Sequence, residues 1–153
     1  MTFGYKCDSL DPTESSKTNC PTTVLLAEDH AAFRRMLSSI LQNRPNTRIV
    51  CEVVDGLEAV AKARELRPDL ILLDIGLTSF NGLEAARQIR ELSPQSKILF
   101  VTQESSAEIV GEALSVGAKG YVVKSDVGSE LLIAVDAVLR GEWFLSRTAK
   151  QQR

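Results

Sequence analysis

The chain has 153 residues, which suits one domain and leaves little room for two. Its 44% apolar and 25% charged residues are the composition of an ordinary soluble globular domain, and a formal charge of −2 gives no general attraction to nucleic acid or an anionic membrane. The three cysteines (Cys7, Cys20, Cys51) lack CxxC spacing and His30 is the sole histidine, so neither a disulfide framework nor a zinc site is expected. No apolar run approaches the roughly 20 residues that span a bilayer. The N-terminus lacks the apolar core of a signal peptide, and the expected location is cytoplasmic.

Residues 1–21 are rich in Ser, Thr, Asp, Lys and Pro and show little periodicity; they read as a mobile tail. Regular patterning starts at Thr22. A strand is predicted over 23–27, then a helix over 31–43 whose Phe33, Met36, Leu37, Ile40 and Leu41 share one face. A strand over 48–54 and a helix over 56–66 follow, closed by Arg67-Pro68. Residues 70–73 are four consecutive apolar residues, the pattern of a strand buried on both faces. Next come a helix over 82–92 stopped by Ser93-Pro94, a strand over 97–102, a helix over 106–116 ended by Gly117, and a strand over 120–123. The last helix, 127–140, places Leu131, Ala134, Val135 and Val138 on one side.

Five strands alternating with five helices imply parallel βαβ units with right-handed crossovers. The expected fold is α/β: a doubly wound five-stranded parallel sheet in the flavodoxin-like order 2-1-3-4-5, flanked by five helices. The expected organisation is a tail over 1–21, one domain over 22–141 and a short C-terminal tail over 142–153.

Ligands of open parallel sheets bind beyond the carboxyl ends of the strands. Here the first strand runs into Glu28-Asp29, the third into Asp74, the fourth ends in Thr102 and the fifth runs into Lys124. The first and third strands are neighbours in the expected order, so three carboxylates crowd together. Such charges repel and raise one another's proton affinity. A divalent cation relieves this, and oxygen-only donors favour Mg²⁺. Lys124 and Thr102 suit phosphoryl oxygens, and an aspartate so placed can act as a nucleophile toward phosphorus.

In these residues the chain resembles the receiver domain of two-component response regulators. The resemblance covers roughly residues 22–141 and rests on the acidic pair Glu28-Asp29, on Asp74, Thr102 and Lys124, on the Asn81-Gly82 turn and on Gly120-Tyr121-Val122-Val123-Lys124. It implies phosphoryl transfer from a phosphohistidine of a histidine kinase or histidine phosphotransfer protein to Asp74. It also implies Mg²⁺ on Asp29, Asp74 and the backbone carbonyl of Gly76, with Glu28 acting through water. Thr102 and Tyr121 fall at the switch positions, and Glu104 where the family tunes phosphoryl lifetime. Signalling would pass by contact through the outer face of the fourth helix, fifth strand and fifth helix, and Leu132 and Ile133 hint at a contact or homodimer surface.

Two positions depart from the family pattern. Thr78 and Ser125 stand where prolines are frequent; the first change is expected to loosen the acceptor loop, and neither removes a reacting group. The stretch Gly141-Glu142-Trp143-Phe144-Leu145-Ser146 resembles the linker of the subfamily with helix-turn-helix output, but no output domain follows, so no direct DNA binding is expected. Trp143 and Phe144 are expected to pack back onto the domain.

Taken singly, the residues have plainer readings. Glu28-Asp29 can be a strand-to-helix cap, Tyr121 a packing residue, Lys124 a solvated strand end, and His30 a partly exposed residue at a helix start. A haloacid-dehalogenase-type phosphatase fits poorly, because Gly76 stands where the second aspartate would protonate a leaving group. A flavodoxin would need a hydroxyl-rich loop where Glu-Asp-His-Ala-Ala stands, and there is no GxGxxG or P-loop. The remaining alternative is a phosphorylation-independent pseudo-receiver that works only as an interaction module. The expected protein is not an enzyme but a phosphoacceptor that promotes its own phosphorylation and dephosphorylation.

Overall fold

A computed structural model describes residues 6–7, 20–78 and 80–151. Seven strands form one sheet in the order β1-β3-β2-β4-β5-β6-β7. The five expected strands are β2 (Thr22–Ala27), β3 (Thr47–Val53), β4 (Leu70–Leu73), β5 (Lys97–Thr102) and β6 (Gly120–Val123), all parallel and in the expected order. Five helices alternate with them: α1 (Ala31–Gln42), α2 (Gly56–Leu66), α3 (Gly82–Leu92), α4 (Ala107–Ser115) and α5 (Val127–Leu139).

The pleat explains the two-sided core. Val24, Leu26, Leu70 and Leu72 face α1 and α5, where Leu37, Leu41, Leu131 and Val135 meet them. Leu25, Ile71, Leu73 and Phe100 face α2, α3 and α4, meeting Ala59, Ala63, Ala86, Ile89 and Val110. All four residues of β4 are buried. Each such side chain contributes roughly 1.5–3 kcal/mol on burial. Four helices start on side-chain caps: His30, Asp55, Asn81 and Ser106 accept from the backbone N–H of Phe33, Glu58, Glu84 and Ile109. The carboxylates Glu58, Glu84 and Glu108 in three of these first turns suit the helix dipole.

Both sheet edges hold strands that periodicity did not announce. Strand β1 (Lys6–Cys7) pairs antiparallel with β3, within the stretch read as a mobile tail; residues 1–5 and 8–19 of that stretch lie outside the described residues. The β1–β3 ladder sets Cys7 opposite Cys51. Cys51 is disulfide-bonded, whereas Cys20 is free and exposed, so the expectation that the cysteines form no disulfide fails at Cys51. Spacing along the sequence carries no sign of this, because which cysteines come near each other depends on tertiary pairing.

At the other edge β7 (Phe144–Leu145) pairs parallel with β6, and α6 (Arg147–Gln151) follows. Phe144 packs on the α1/α5 side of the core as expected, but Trp143 stays 57% exposed with the Lys119 ammonium 4.9 Å from its ring centroid. Ser146 is fully buried: its N–H donates to the Tyr121 carbonyl at 2.9 Å, and its hydroxyl accepts from Val123 N–H at 3.0 Å. The Asp126 carboxylate caps α6, accepting from Thr148 N–H at 2.8 Å and Thr148 Oγ1 at 2.9 Å. Burial pushes the Asp126 pKa up, but hydrogen bonds from Ser146 and Thr148 and the charge of Arg147 outweigh it and hold the carboxyl below the usual aspartate value.

Two outcomes are expected at this edge. Ser146→Ala leaves the buried Val123 N–H without an acceptor and should cost about 1–3 kcal/mol, read from the urea midpoint. Because the folded-state pKa of Asp126 is depressed, its stabilisation is present above the ordinary aspartate value of 3.8 and is lost as pH falls through the lower folded value. Amide exchange at Thr148, whose N–H donates to Asp126, should therefore rise in that acid range before the central strands open.

Candidate functional site

The site is built by register. Ala27 is level with Leu73, Leu73 with Phe100, and Thr102 with Val123, so four strands end at nearly one height. The residues just past those ends face a common cavity of about 530 Å³ lined by Asp29, His30, Asp74, Gly76, Thr102 and Lys124, among others. The ladder continues one step beyond: Glu28 N–H donates to Val53 carbonyl at 3.1 Å and Asp74 N–H to Ala27 carbonyl at 3.2 Å. Two carboxylates are thereby pinned by backbone rather than left on mobile loops.

Lys124 reaches across the end of β5 to both. Its ammonium lies 3.0 Å from Asp74 Oδ2, 3.0 Å from Glu28 Oε1 and 3.1 Å from Glu28 Oε2. Glu28 is 1% exposed and Asp74 6%. Asp29 is exposed at the rim. Asp74 Oδ1 also accepts from Gly76 N–H at 3.0 Å, and Glu28 Oε2 accepts from His30 N–H at 3.0 Å. Burial raises the Glu28 pKa; the negative charge of Asp74 adds to this, while the His30 N–H and Lys124 oppose it. For Lys124, burial pulls downward, yet the hydrogen bonds and charges of Asp74 and Glu28 outweigh it and the ammonium is held above the usual lysine value.

One carboxylate oxygen from each of Glu28, Asp29 and Asp74 can lie within 4.8 Å of the others. Glu28 Oε1 is buried without a directed hydrogen bond, although the Lys124 ammonium lies within ion-pair distance. Two of these three acidic donors, Glu28 and Asp74, share one lysine, and one donor has spare capacity; this donor set fits a hard divalent cation.

The switch candidates also fall where the sequence reading put them. Thr102 is buried at the cavity wall. Tyr121 is fully buried, its ring tilted against Phe100 at a centroid distance of 6.2 Å, and its hydroxyl donates to the Glu104 backbone carbonyl at 2.7 Å. Burial, with the charges of Glu104 and Asp74, pushes the tyrosine pKa well up. His30 is the N-cap of α1, exposed as expected.

The loop after Asp74 is tied down despite Thr78. Thr78 bridges to Asp55, and Gly82 N–H donates to Ile75 carbonyl at 2.9 Å. Three contributors escaped sequence reasoning. Phe33, assigned only to a core face, has its ring centroid 4.6 Å from the Lys124 ammonium. Asp126 sits on the 3₁₀ turn Lys124–Asp126 that starts at the lysine itself. Gly82 was recognised as a turn residue, but its real constraint is space: a Cβ there would collide with the Asp74 carbonyl oxygen. No local pattern shows the contact that matters at any of the three, because each contact involves a neighbour from another element.

The geometry defines a flavodoxin-like α/β domain with an acidic, lysine-braced cavity at the carboxyl edge of its sheet. The chain belongs to the response regulator receiver domain family, whose pattern matches residues 24–136. It is 36% identical over 123 residues to the oxygen regulatory protein NreC of Staphylococcus epidermidis, covering 80% of this chain and 56% of that protein. The chain thus spans about half the length of the curated relatives it matches. Among solved structures, a LuxR-family two-component response regulator from Aurantimonas sp. SI85-9A1 superposes with a TM-score of 0.82 at 32% identity, covering 86% of this chain and 94% of that one. The response regulator domain of Thermotoga maritima CheB gives 0.72 at 32% identity, covering 78% and 97%.

Gly82→Ala should displace the loop after Asp74. Overpacking of this kind costs about 1–3 kcal/mol. The expected signature is a lower urea midpoint together with amide shifts centred on residues 74–76, and an unshifted loop would show that the backbone has room to spare.

Proposed function

We propose that this chain is a phosphoacceptor receiver that takes a phosphoryl group on Asp74 and signals by protein contact. The observation that carries the reading is the Lys124 ammonium 3.0 Å from Asp74 Oδ2, beside the cluster Glu28, Asp29 and Asp74. A carboxylate oxygen of Asp74 attacks phosphorus of a phosphohistidine. The O–P bond forms as the N–P bond breaks, and the imidazole leaves with a proton from solvent. The donor is a histidine kinase or a histidine phosphotransfer protein.

Lys124 stabilises charge on the transferred group, and the Thr102 hydroxyl donates to one of its oxygens. The Gly76 N–H on Asp74 Oδ1 fixes the orientation of the carboxylate. Mg²⁺ on Asp29, Asp74 and the Gly76 carbonyl, with Glu28 through water, would neutralise part of the phosphoryl charge.

Receivers are regulatory phosphoacceptors, and no catalytic turnover of a separate substrate is assigned to this one. Output is read from the face made by α4, β6 and α5, with Thr102 and Tyr121 relaying occupancy of the site. Ile133, 58% exposed on α5, and the half-buried Leu132 beside it are the candidate contact or self-association surface. Among the described residues no helix is long and apolar enough to cross a membrane. Cytoplasmic action, a receiver unit over 22–141 and flanking tails over 1–21 and 142–153 complete the proposal.

The test is intact mass after incubation with Mg²⁺ and acetyl phosphate. A single phosphoryl adduct in the wild type, absent from Asp74→Asn and absent without metal, is the expected result. No adduct from several donors would leave the phosphorylation-independent interaction module as the better account.

A further inference from the structure

We propose that Phe33 is a positioning residue for Lys124, an aromatic wall that holds the ammonium in register with Asp74; this rests on the phosphoacceptor reading above. The ammonium lies over the Phe33 ring, 4.6 Å from its centroid. That is well inside the range at which the negative face of an aromatic ring attracts a cation, and the attraction grows as water is removed. Here water is scarce: the Lys124 side chain is 15% exposed, and its carboxylate partners are 2% and 8% exposed.

The ring itself is held from below. Phe33 stands in the first turn of α1, its N–H donating to His30 Nδ1 at 3.2 Å, and His30 N–H in turn donates to Glu28 Oε2 at 3.0 Å. One short chain of bonds therefore places the carboxylate, the helix start and the ring together. The neighbouring Arg34 guanidinium donates to the Glu28 carbonyl at 2.8 Å and closes the same turn.

A packing role alone does not account for this placement. Phe33 is only half-buried, and besides touching the α1/α5 core it lines the cavity. A leucine would fill the core contact and present no charge-binding face. The carboxylates of Glu28 and Asp74 draw the ammonium to one side, and both lose attraction for it when charge moves onto a phosphoryl group or a metal. The ring is a neutral partner whose attraction does not change with either event. It keeps the ammonium directed at the transferred group while its ionic partners are redistributed.

The experiment replaces Phe33 by 4-fluoro-, 3,5-difluoro- and 3,4,5-trifluorophenylalanine, which weaken the ring's negative face at nearly constant volume, and by leucine. The rate of phosphoryl uptake from acetyl phosphate with Mg²⁺ is measured in wild-type and Lys124→Met backgrounds. With Lys124 present, the logarithm of the rate should fall steadily along the fluorine series, reaching a loss of about 3- to 30-fold for Phe33→Leu. With Lys124→Met the series should be flat.

A flat series in the wild-type background overturns the inference while leaving the acceptor reading intact. A slope that survives Lys124→Met also overturns it, since the ring would then act on something else. Absence of any uptake by the wild type would remove the acceptor reading itself. The contact has its own readout in that event: ring-current upfield shifts of the Lys124 side-chain protons, expected in the wild type and lost in Phe33→Leu. Their absence from the wild type would overturn the placement of the ring independently of any chemistry.

Discussion

The ion cluster of Lys124 with Glu28 and Asp74 is the constraint around which this domain is arranged. Removing an ion from water costs several kcal/mol, and the attraction of a partner recovers that only with close geometry and further hydrogen bonds. Both conditions are met. The ammonium sits 3.0 Å from each carboxylate, and His30 and Gly76 supply backbone donors to Glu28 Oε2 and Asp74 Oδ1. The rest of the cost falls on the apolar sheet. Strand β4 alone buries four aliphatic side chains, worth roughly 1.5–3 kcal/mol each, immediately before Asp74. A long apolar strand is therefore not incidental to the acidic residue at its end; it supplies the stability that makes a buried carboxylate tolerable and the rigidity that keeps it still.

The cluster is also unbalanced in charge. Two carboxylates face one ammonium and a third, Asp29, lies beside them; the imbalance has visible consequences: a raised Glu28 pKa, in which burial is the largest contribution and Asp74 a further one, and a lysine held protonated by Asp74 and Glu28. A site with this surplus responds to whatever compensates it, whether proton, cation or an added group that redistributes charge. Family membership and physical reading meet at this point. The same residues that mark the chain as a receiver are those whose electrostatics leave the site unsatisfied.

The turn after Lys124 gives the cluster a direct covalent link to the C-terminal edge of the sheet. The 3₁₀ turn begins at the lysine and ends at Asp126, which caps α6, while Ser146 closes the hydrogen bonding of β6 from the side. On the opposite edge β1 covers β3. Two-residue strands thus cover part of each outer edge of the five expected strands, which shortens the open ladder left for pairing with other chains.

Much of this was legible in the residues themselves. Short apolar runs mark the five central strands and a 3.6-residue period the five flanking helices, because a strand covered on both faces is apolar throughout while a helix buries one stripe. The acidic pair, Asp74, Thr102 and Lys124 could be assigned to one edge because a parallel sheet with short strands leaves no other place for residues at its carboxyl ends. What lay beyond reach depends on pairing between distant segments. Lys6–Cys7 and Phe144–Leu145 are too short to show a period, and only the exposed edges of β3 and β6 make strands of them. Gly82 reads as a turn, yet only the approach of the Asp74 carbonyl forbids a side chain there. Phe33 reads as core, and only the crossing of Lys124 over the end of β5 sets an ammonium on its ring. The sequence by itself determined the order of elements and the chemistry gathered at one edge, since both follow from short-range pattern. Tertiary structure decided the partners, because a partner is fixed by distances that no stretch of sequence contains.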